Sequence, residues 1–379
     1  MDSRAANQVV AMKLEDLQTP CLVLDKQVLE RNLKRMSERM RSLGVALRPH
    51  LKTAKSAEVA RIALAGEAGG ITVSTLAEAE YFADHGVRDI LVAAAQTPQK
   101  LDRAASLIER GVTVSLVTDD IDGAHAIAAH PAAFRVLIEL DSGDKRAGID
   151  PASASLLEIA RALGAKLVGV MTHAGHSYGC RNIQCIKRIA EVERATVVSA
   201  AARLRAEGIE CKVVSVGSTP TMTHADNLEG VTEARPGVYM FQDLFQAEIG
   251  SCTREDIAVT VLASVIGRNE PENRFLIDAG ALALSKDRST QSAPHDFGYG
   301  AVWDLECRPV FGECIIERVF QEHGVAVSSS PLDFDHLRVG AKVRVAPNHA
   351  CITAAAYERY YVVDGGKEVI AEWDRINGW

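Results

Sequence analysis

Between Val45 and about Glu233 the chain alternates short, β-branched apolar runs with longer stretches whose apolar residues recur at helical spacing. Eight such runs can be read: VALRPH from Val45, GITVS from Gly70, DILVAAA from Asp89, VTVSLVT from Val112, FRVLIEL from Phe134, KLVGVMTH from Lys166, KVVSVGS from Lys212 and GVTEARPG from Gly230. Helical stretches such as TLAEAEYFADHG and CIKRIAEVERATVVSAAARLRAEG lie between them, the second ending on Gly208 as helices often end on glycine. Eight parallel strands with intervening helices predict an α/β fold, a (β/α)8 TIM-type barrel, in preference to the open doubly wound sheet that the same alternation permits.

After about Phe245 the pattern changes. Segments such as IAVTVLASVIG, RFLIDAG, VFGECIIERVF, KVRVAPNH and YERYYVVDGG are β-rich and separated by Gly, Asn and Pro, with few helical windows. They predict a second, mostly β C-terminal domain. The boundaries read as 25–245 for the barrel and 1–24 plus 246–379 for the β-rich domain, with the leading strand TPCLVLD available to pair with the latter.

Composition narrows the partners. The chain has 379 residues, enough for two domains, and its formal net charge of -8 argues against a nucleic-acid backbone as the main ligand. No apolar run approaches the roughly 20 residues that span a bilayer, and MDSRAANQVVAMK lacks an apolar signal core. A cytoplasmic protein without nucleic-acid or membrane partners is predicted. Eight scattered cysteines without a CxxC pair give no sign of a disulfide framework or zinc knuckle, so most are expected to be small buried hydrophobes.

Active sites of βα barrels lie at the C-terminal ends of the strands, so the residues after each run carry the chemistry. Lys52 follows the first run, with His50 beside it; Arg146 follows the fifth; His173 and Tyr178 follow the sixth; VGSTPT ends the seventh and EARPGVY the eighth. Gly217 to Thr221 offer close backbone approach, N–H groups and hydroxyls, as a phosphate cradle at the late loops of a barrel requires. There is no GxGxxG or GxxxxGK[ST] fingerprint, which favours the phosphate of a smaller cofactor. A strand-end lysine facing a phosphate site suggests a Schiff base with pyridoxal 5'-phosphate. Lys52 and Lys55 both compete for that role, and position favours Lys52, because Lys55 enters the following helix pattern.

In APNHACIT, His349 and Cys351 are two apart at the end of an apolar run that reads as a strand, where i and i+2 share a face. An imidazole and a thiolate so placed suit a divalent metal, zinc first and manganese second. The same spacing also describes a buried cysteine near a structural histidine.

Taken together and in order, TPCLVLD, LRPHLKTAKS, GITVSTLAEAE, THAGHSY, VSVGSTPT, GVTEARPGVYMF, DFGYG, QEHG and PNHACIT resemble the fold-type III pyridoxal-phosphate enzymes of the alanine racemase-like superfamily. The likeness is strongest to the metal-dependent D-serine dehydratase, D-threo-3-hydroxyaspartate dehydratase and D-threonine aldolase group. That resemblance implies that Lys52 is the catalytic lysine joined to the cofactor and that Arg146 bonds its phenolic oxygen. It implies phosphate contacts from Gly217, Ser218, Thr219, Gly237 and Tyr239, with Tyr178 nearby and His173 completing the cofactor set. His349 and Cys351 match the metal pair, and members are homodimers with the site at the subunit interface.

The implied activity is that of a lyase on a β-hydroxy-D-amino acid, eliminating water to give a 2-oxo acid and ammonia. Retro-aldol cleavage to glycine and an aldehyde is the alternative; racemization and a non-catalytic carrier role rank below both. In the group, His-x-Cys accompanies the dehydratases and His-x-Asp several aldolases, so Cys351 tilts the expectation toward dehydration.

Overall fold

The computed structural model describes residues 12–67 and 69–379, which divide into two compact units. One comprises Glu30–Asp256 with the tail Arg375–Trp379; the other is the remainder, up to Leu29 and from Ile257 to Asp374. The two main divisions fall five and eleven residues beyond those read from the sequence, and the last five residues group with the first unit.

All eight anticipated strands form the first unit's parallel sheet. Their spatial order is Ala46–Leu47, Glu233–Ala234, Val213–Val216, Leu167–Thr172, Arg135–Leu140, Thr113–Thr118, Asp89–Val92 and Ile71–Val73. Backbone hydrogen bonds then join the two edges: Leu51 donates to Thr72 O at 2.8 Å and Thr72 donates to Pro49 O at 3.0 Å. The sheet therefore closes into a barrel. Strands such as Ile71–Val73 are buried along their whole length, because the barrel interior covers one face and helices the other.

The helices follow from local chemistry. Thr75 caps Leu76–Asp84 by accepting from Glu78 N at 3.1 Å, and Asn182 caps Ile183–Ala206 by accepting from Cys185 N at 2.8 Å. The longer helix buries Ile186, Ala190, Glu193, Val197, Ala201 and Leu204 at helical spacing. No helix among the described residues is long and apolar enough to cross a membrane.

The second unit is antiparallel over most of its sheet. Val259–Asn269 pairs along its length with both Lys342–Ala346 and Arg274–Ile277, and the ring continues through Gly324–Ser328, Cys314–Val319 and Ala301–Trp303 back to Lys342–Ala346. Six strands thus close on themselves. Cys21–Asp25 pairs antiparallel with Val259–Asn269, a pairing open to the leading strand, and Arg359–Val363 and Ala371–Asp374 extend the sheet.

Two sequence readings change. Cys180 and Cys185 form a disulfide, although the spacing gave no sign of one, because a turn and a helix start bring their Cα atoms to 5.6 Å. His349 and Cys351 do not lie on a strand. The strand ends at Ala346, His349 is the N-cap of a short helix, and Cys351 lies inside that helix, Ala350–Ala354.

Candidate active site

Lys52 sits in the turn that follows the first barrel strand, and its side chain borders a cavity of about 350 Å³. The cavity wall also includes His50, Ser74, Asp119, Glu139, Arg146, His173, Gly217 and Arg235. That volume suits a small organic ligand. The two lysines differ in their surroundings. Lys55 has φ of 49°, and its Nζ lies 3.1 Å from the carboxylate of Glu78, a fully buried side chain. Lys52 is exposed to the cavity and has no ion-pair partner among the described residues. Lys55 also precedes the helix, which begins at Ala57.

Two imidazoles flank Lys52, and both are held neutral. Burial, then repulsion from Lys52, lowers the His173 pKa from 6.5 to about 3. Burial likewise pushes His50 well below its ordinary value, helped by Lys52, Arg235 and His173. His173 Nδ1 lies 2.5 Å from Gly217 O. A carbonyl only accepts, so Nδ1 carries the proton and Nε2 is left as an acceptor.

Arg146 is half exposed at the cavity, with its guanidinium 4.0 Å from Glu139 and 3.9 Å from Asp144. Glu139 is raised by burial, against the pull of Arg146 and Arg235. Arg235 is buried and fully engaged: it donates to Ser215 Oγ at 2.5 Å, to Val216 O at 3.1 Å and to Thr172 O at 2.6 Å. Ser215 in turn donates to Glu233, whose other oxygen accepts from Arg48. This network braces the cavity floor across neighbouring strands.

The stretch read as a phosphate cradle is packed more tightly than its sequence implied. A Cβ on Gly217 would lie 2.6 Å from Arg235 N, so only glycine permits this approach. Gly217 N donates to Glu193 Oε1 at 3.0 Å, Ser218 Oγ is bonded to Thr221 and Ser177, and Thr219 Oγ1 accepts from Tyr239 N. The hydroxyls are therefore committed within the protein. Gly237 is equally confined, since a Cβ there would meet His50 O at 3.0 Å and Thr53 Oγ1 at 3.2 Å. Tyr239 is buried, and burial, with the charge of Glu67 adding to it, raises its phenol pKa. Among the described residues its hydroxyl has no hydrogen-bond partner. Tyr178 is not among the cavity-lining residues; its ring stacks on Phe245 at 6.2 Å.

Lys52, Arg146, His173 and Gly217 are thus brought to one cavity. Ser218, Thr219 and Tyr239 are tied behind it, Gly237 packs against His50, and Tyr178 stands aside. Sequence reasoning passed over Arg235 and Glu193. Arg235 directly follows the eighth strand, Glu233–Ala234, where the strand-end rule could have found it. Glu193, fully buried, bonds the amides of both Ala174 and Gly217. Its signal was a lone carboxylate on the apolar face of a helix.

In the second unit, His349 Nδ1 lies 3.6 Å from Asp287 Oδ2, and Cys351 follows two residues later, partly exposed. Among the described residues no cluster of three or more His, Cys, Asp or Glu side chains could hold a metal. An imidazole and a thiol would supply two ligands, leaving positions for water or substrate, as catalytic zinc sites do.

Residues 24–244 match the family described as alanine racemase, N-terminal domain, and residues 258–363 match a serine dehydratase domain. The chain belongs to the fold-type III pyridoxal-phosphate family. Within it, the chain is 44% identical to D-threo-3-hydroxyaspartate dehydratase of Delftia sp. (strain HT23), covering 96% of this chain and 98% of that one. It is 31% identical to D-serine dehydratase of Dictyostelium discoideum, covering 97% and 98%. A solved D-threo-3-hydroxyaspartate dehydratase, a cysteine-to-alanine variant in the metal-free form, superposes with a TM-score of 0.94 at 42% identity, over 97% of this chain and 100% of that one. A histidine-to-alanine variant, changed two positions before that cysteine, gives the same TM-score. The named relatives are pyridoxal-phosphate-dependent dehydratases and aldolases, which makes the chain a lyase of this family.

Proposed function

We propose that the chain dehydrates a β-hydroxy-D-amino acid, D-threo-3-hydroxyaspartate first and D-serine second, using pyridoxal phosphate and a divalent metal. The observation that carries the reading is the division of labour between the lysines: Glu78 holds Lys55, while Lys52 presents an unpaired amine to a cavity walled by Arg146, His173 and Gly217. An amine, a guanidinium and a neutral imidazole around a cavity of this size fit the cofactor. Bound there, pyridoxal phosphate supplies an electron sink for charge developing at the substrate Cα.

With pyridoxal phosphate bound, Lys52 would be the residue that holds it, and its amine would be the base placed to take the substrate's Cα proton. Arg146 anchors the cofactor's phenolic oxygen. Neutral His173, fixed by Gly217 O, presents a face that adds no charge beside the lysine. The backbone of Gly217 to Thr219, with Gly237 and Tyr239 behind it, bounds the phosphate end, and Tyr178 lies at the periphery.

His349 and Cys351 hold the metal, for which the nitrogen and sulfur donors favour zinc over manganese. A metal held there would supply a Lewis acid to stabilise a departing hydroxide. The balance is simple: the substrate loses water from Cα and Cβ, and hydrolysis of the released enamine returns that water, giving a 2-oxo acid and ammonia. A homodimer, which the family resemblance implies, is part of the same proposal and is read by light scattering.

The test is to incubate purified protein, pyridoxal phosphate and zinc with D-threo-3-hydroxyaspartate, D-serine and D-threonine. Ammonia and 2-oxo acid in equal amounts are expected. Glycine with an aldehyde and no ammonia would replace the reading with the aldolase one, which relatives such as the 3-hydroxy-D-aspartate aldolase of Paracoccus denitrificans (strain Pd 1222) represent.

A further inference from the structure

We propose that Asp287 is a positioning residue for His349, fixing the imidazole so that Nε2 is the nitrogen offered to the metal; the inference rests on the metal site proposed above. Asp287 is itself pinned. Its Oδ1 accepts from Ser289 N at 2.9 Å, its side chain is 16% exposed, and its Oδ2 lies 3.6 Å from His349 Nδ1. The residue preceding the histidine is locked to the same segment. Asn348, 2% exposed, donates through Nδ2 to Asp287 O at 3.0 Å and to Gly298 O at 2.8 Å, and its Oδ1 accepts from Thr290 Oγ1 at 3.2 Å.

Backbone and side chain of residue 287 are therefore both directed at the His349 segment. A carboxylate facing Nδ1 draws the ring proton to that nitrogen, so that Nε2 is the nitrogen that can donate its lone pair to a metal. Carboxylate partners of metal-bound histidines act in this way, and their removal typically weakens metal binding by about 10- to 100-fold. Asp287 need not touch the metal to have this effect.

Asp287→Asn retains an acceptor for Ser289 N and removes the negative charge. Full-length protein stripped of metal is titrated with zinc in competition with a chromophoric chelator. The variant is expected to bind zinc about 10- to 100-fold more weakly than the parent, with the thermal midpoint of the metal-free protein unchanged. An unchanged dissociation constant would overturn the role of Asp287. If His349→Ala and Cys351→Ala still abolish binding in that case, the metal site stands without it. Absence of zinc binding by the parent overturns the metal site and this inference together. A measurement on the unmutated metal-free protein removes any dependence on the variant's folding: in a spectrum of ¹⁵N-labelled histidines, His349 is expected to carry its proton on Nδ1, and a proton on Nε2 instead contradicts the proposal.

Discussion

Lys52 and Lys55 lie three residues apart in one turn, and their surroundings assign them opposite tasks. Lys52→Ala is expected to remove turnover and the absorbance of the bound cofactor while leaving the thermal midpoint near that of the parent, since the side chain is exposed. Lys55→Met leaves Glu78 buried and unpaired, so it is expected to cost about 3 kcal/mol in denaturant unfolding while the cofactor still attaches. Tyr239 makes a different prediction. Among the described residues its buried hydroxyl has no partner, so Tyr239→Phe is expected to stabilise the cofactor-free protein by about 1 kcal/mol in denaturant unfolding. Position along the strand was enough to prefer Lys52 from sequence; the reason Lys55 is excluded was not legible, because Glu78 is distant in sequence and meets it only in the fold.

Among the elements, the barrel strands were legible because both of their faces are buried, so β-branched runs stand out even where only two residues pair, as in Ala46–Leu47 and Glu233–Ala234. The helix at Ala350–Ala354 was not. KVRVAPNHACIT reads as one run, but its strand ends at Ala346, before Pro347, and Asn348 beyond it is buried against Asp287, Gly298 and Thr290, contacts from far along the chain. The loop after Val213–Val216 reaches the cavity through Gly217. Gly217→Ala would push a methyl into Arg235 N, so a loss of about 1–3 kcal/mol is expected by denaturant unfolding, together with weaker cofactor retention on dialysis. A stable variant that keeps its cofactor would show that the loop has more room than described.

For the whole molecule, the histidines at the cavity link stability to pH. The folded-state pKa of His173 is about 3 against 6.5, so between these values the unfolded chain binds more protons than the folded one. Stability from this site is complete above about pH 6.5 and is lost as pH falls toward about 3. Buried Glu139 and Glu193, both raised, act in the opposite sense, destabilising as pH rises above their ordinary 4.5. The His173 contribution is isolated by difference: relative to the parent, the thermal midpoint of His173→Gln is expected to improve as pH falls from about 6.5, and a constant offset would mean that the histidine is not held neutral.

At this scale the two-part organisation and the barrel were legible, since βα alternation is a local pattern. The closed ring of the second unit was not, because its pairings, such as Arg274–Ile277 with Gly324–Ser328, join distant segments. The central claim is that the amine of Lys52 holds pyridoxal phosphate in this cavity. Reducing the cofactor-loaded protein with borohydride and mapping the labelled peptide tests it most directly. The label is expected on Lys52; a label on Lys55, or none in protein that turns over substrate, would contradict the account.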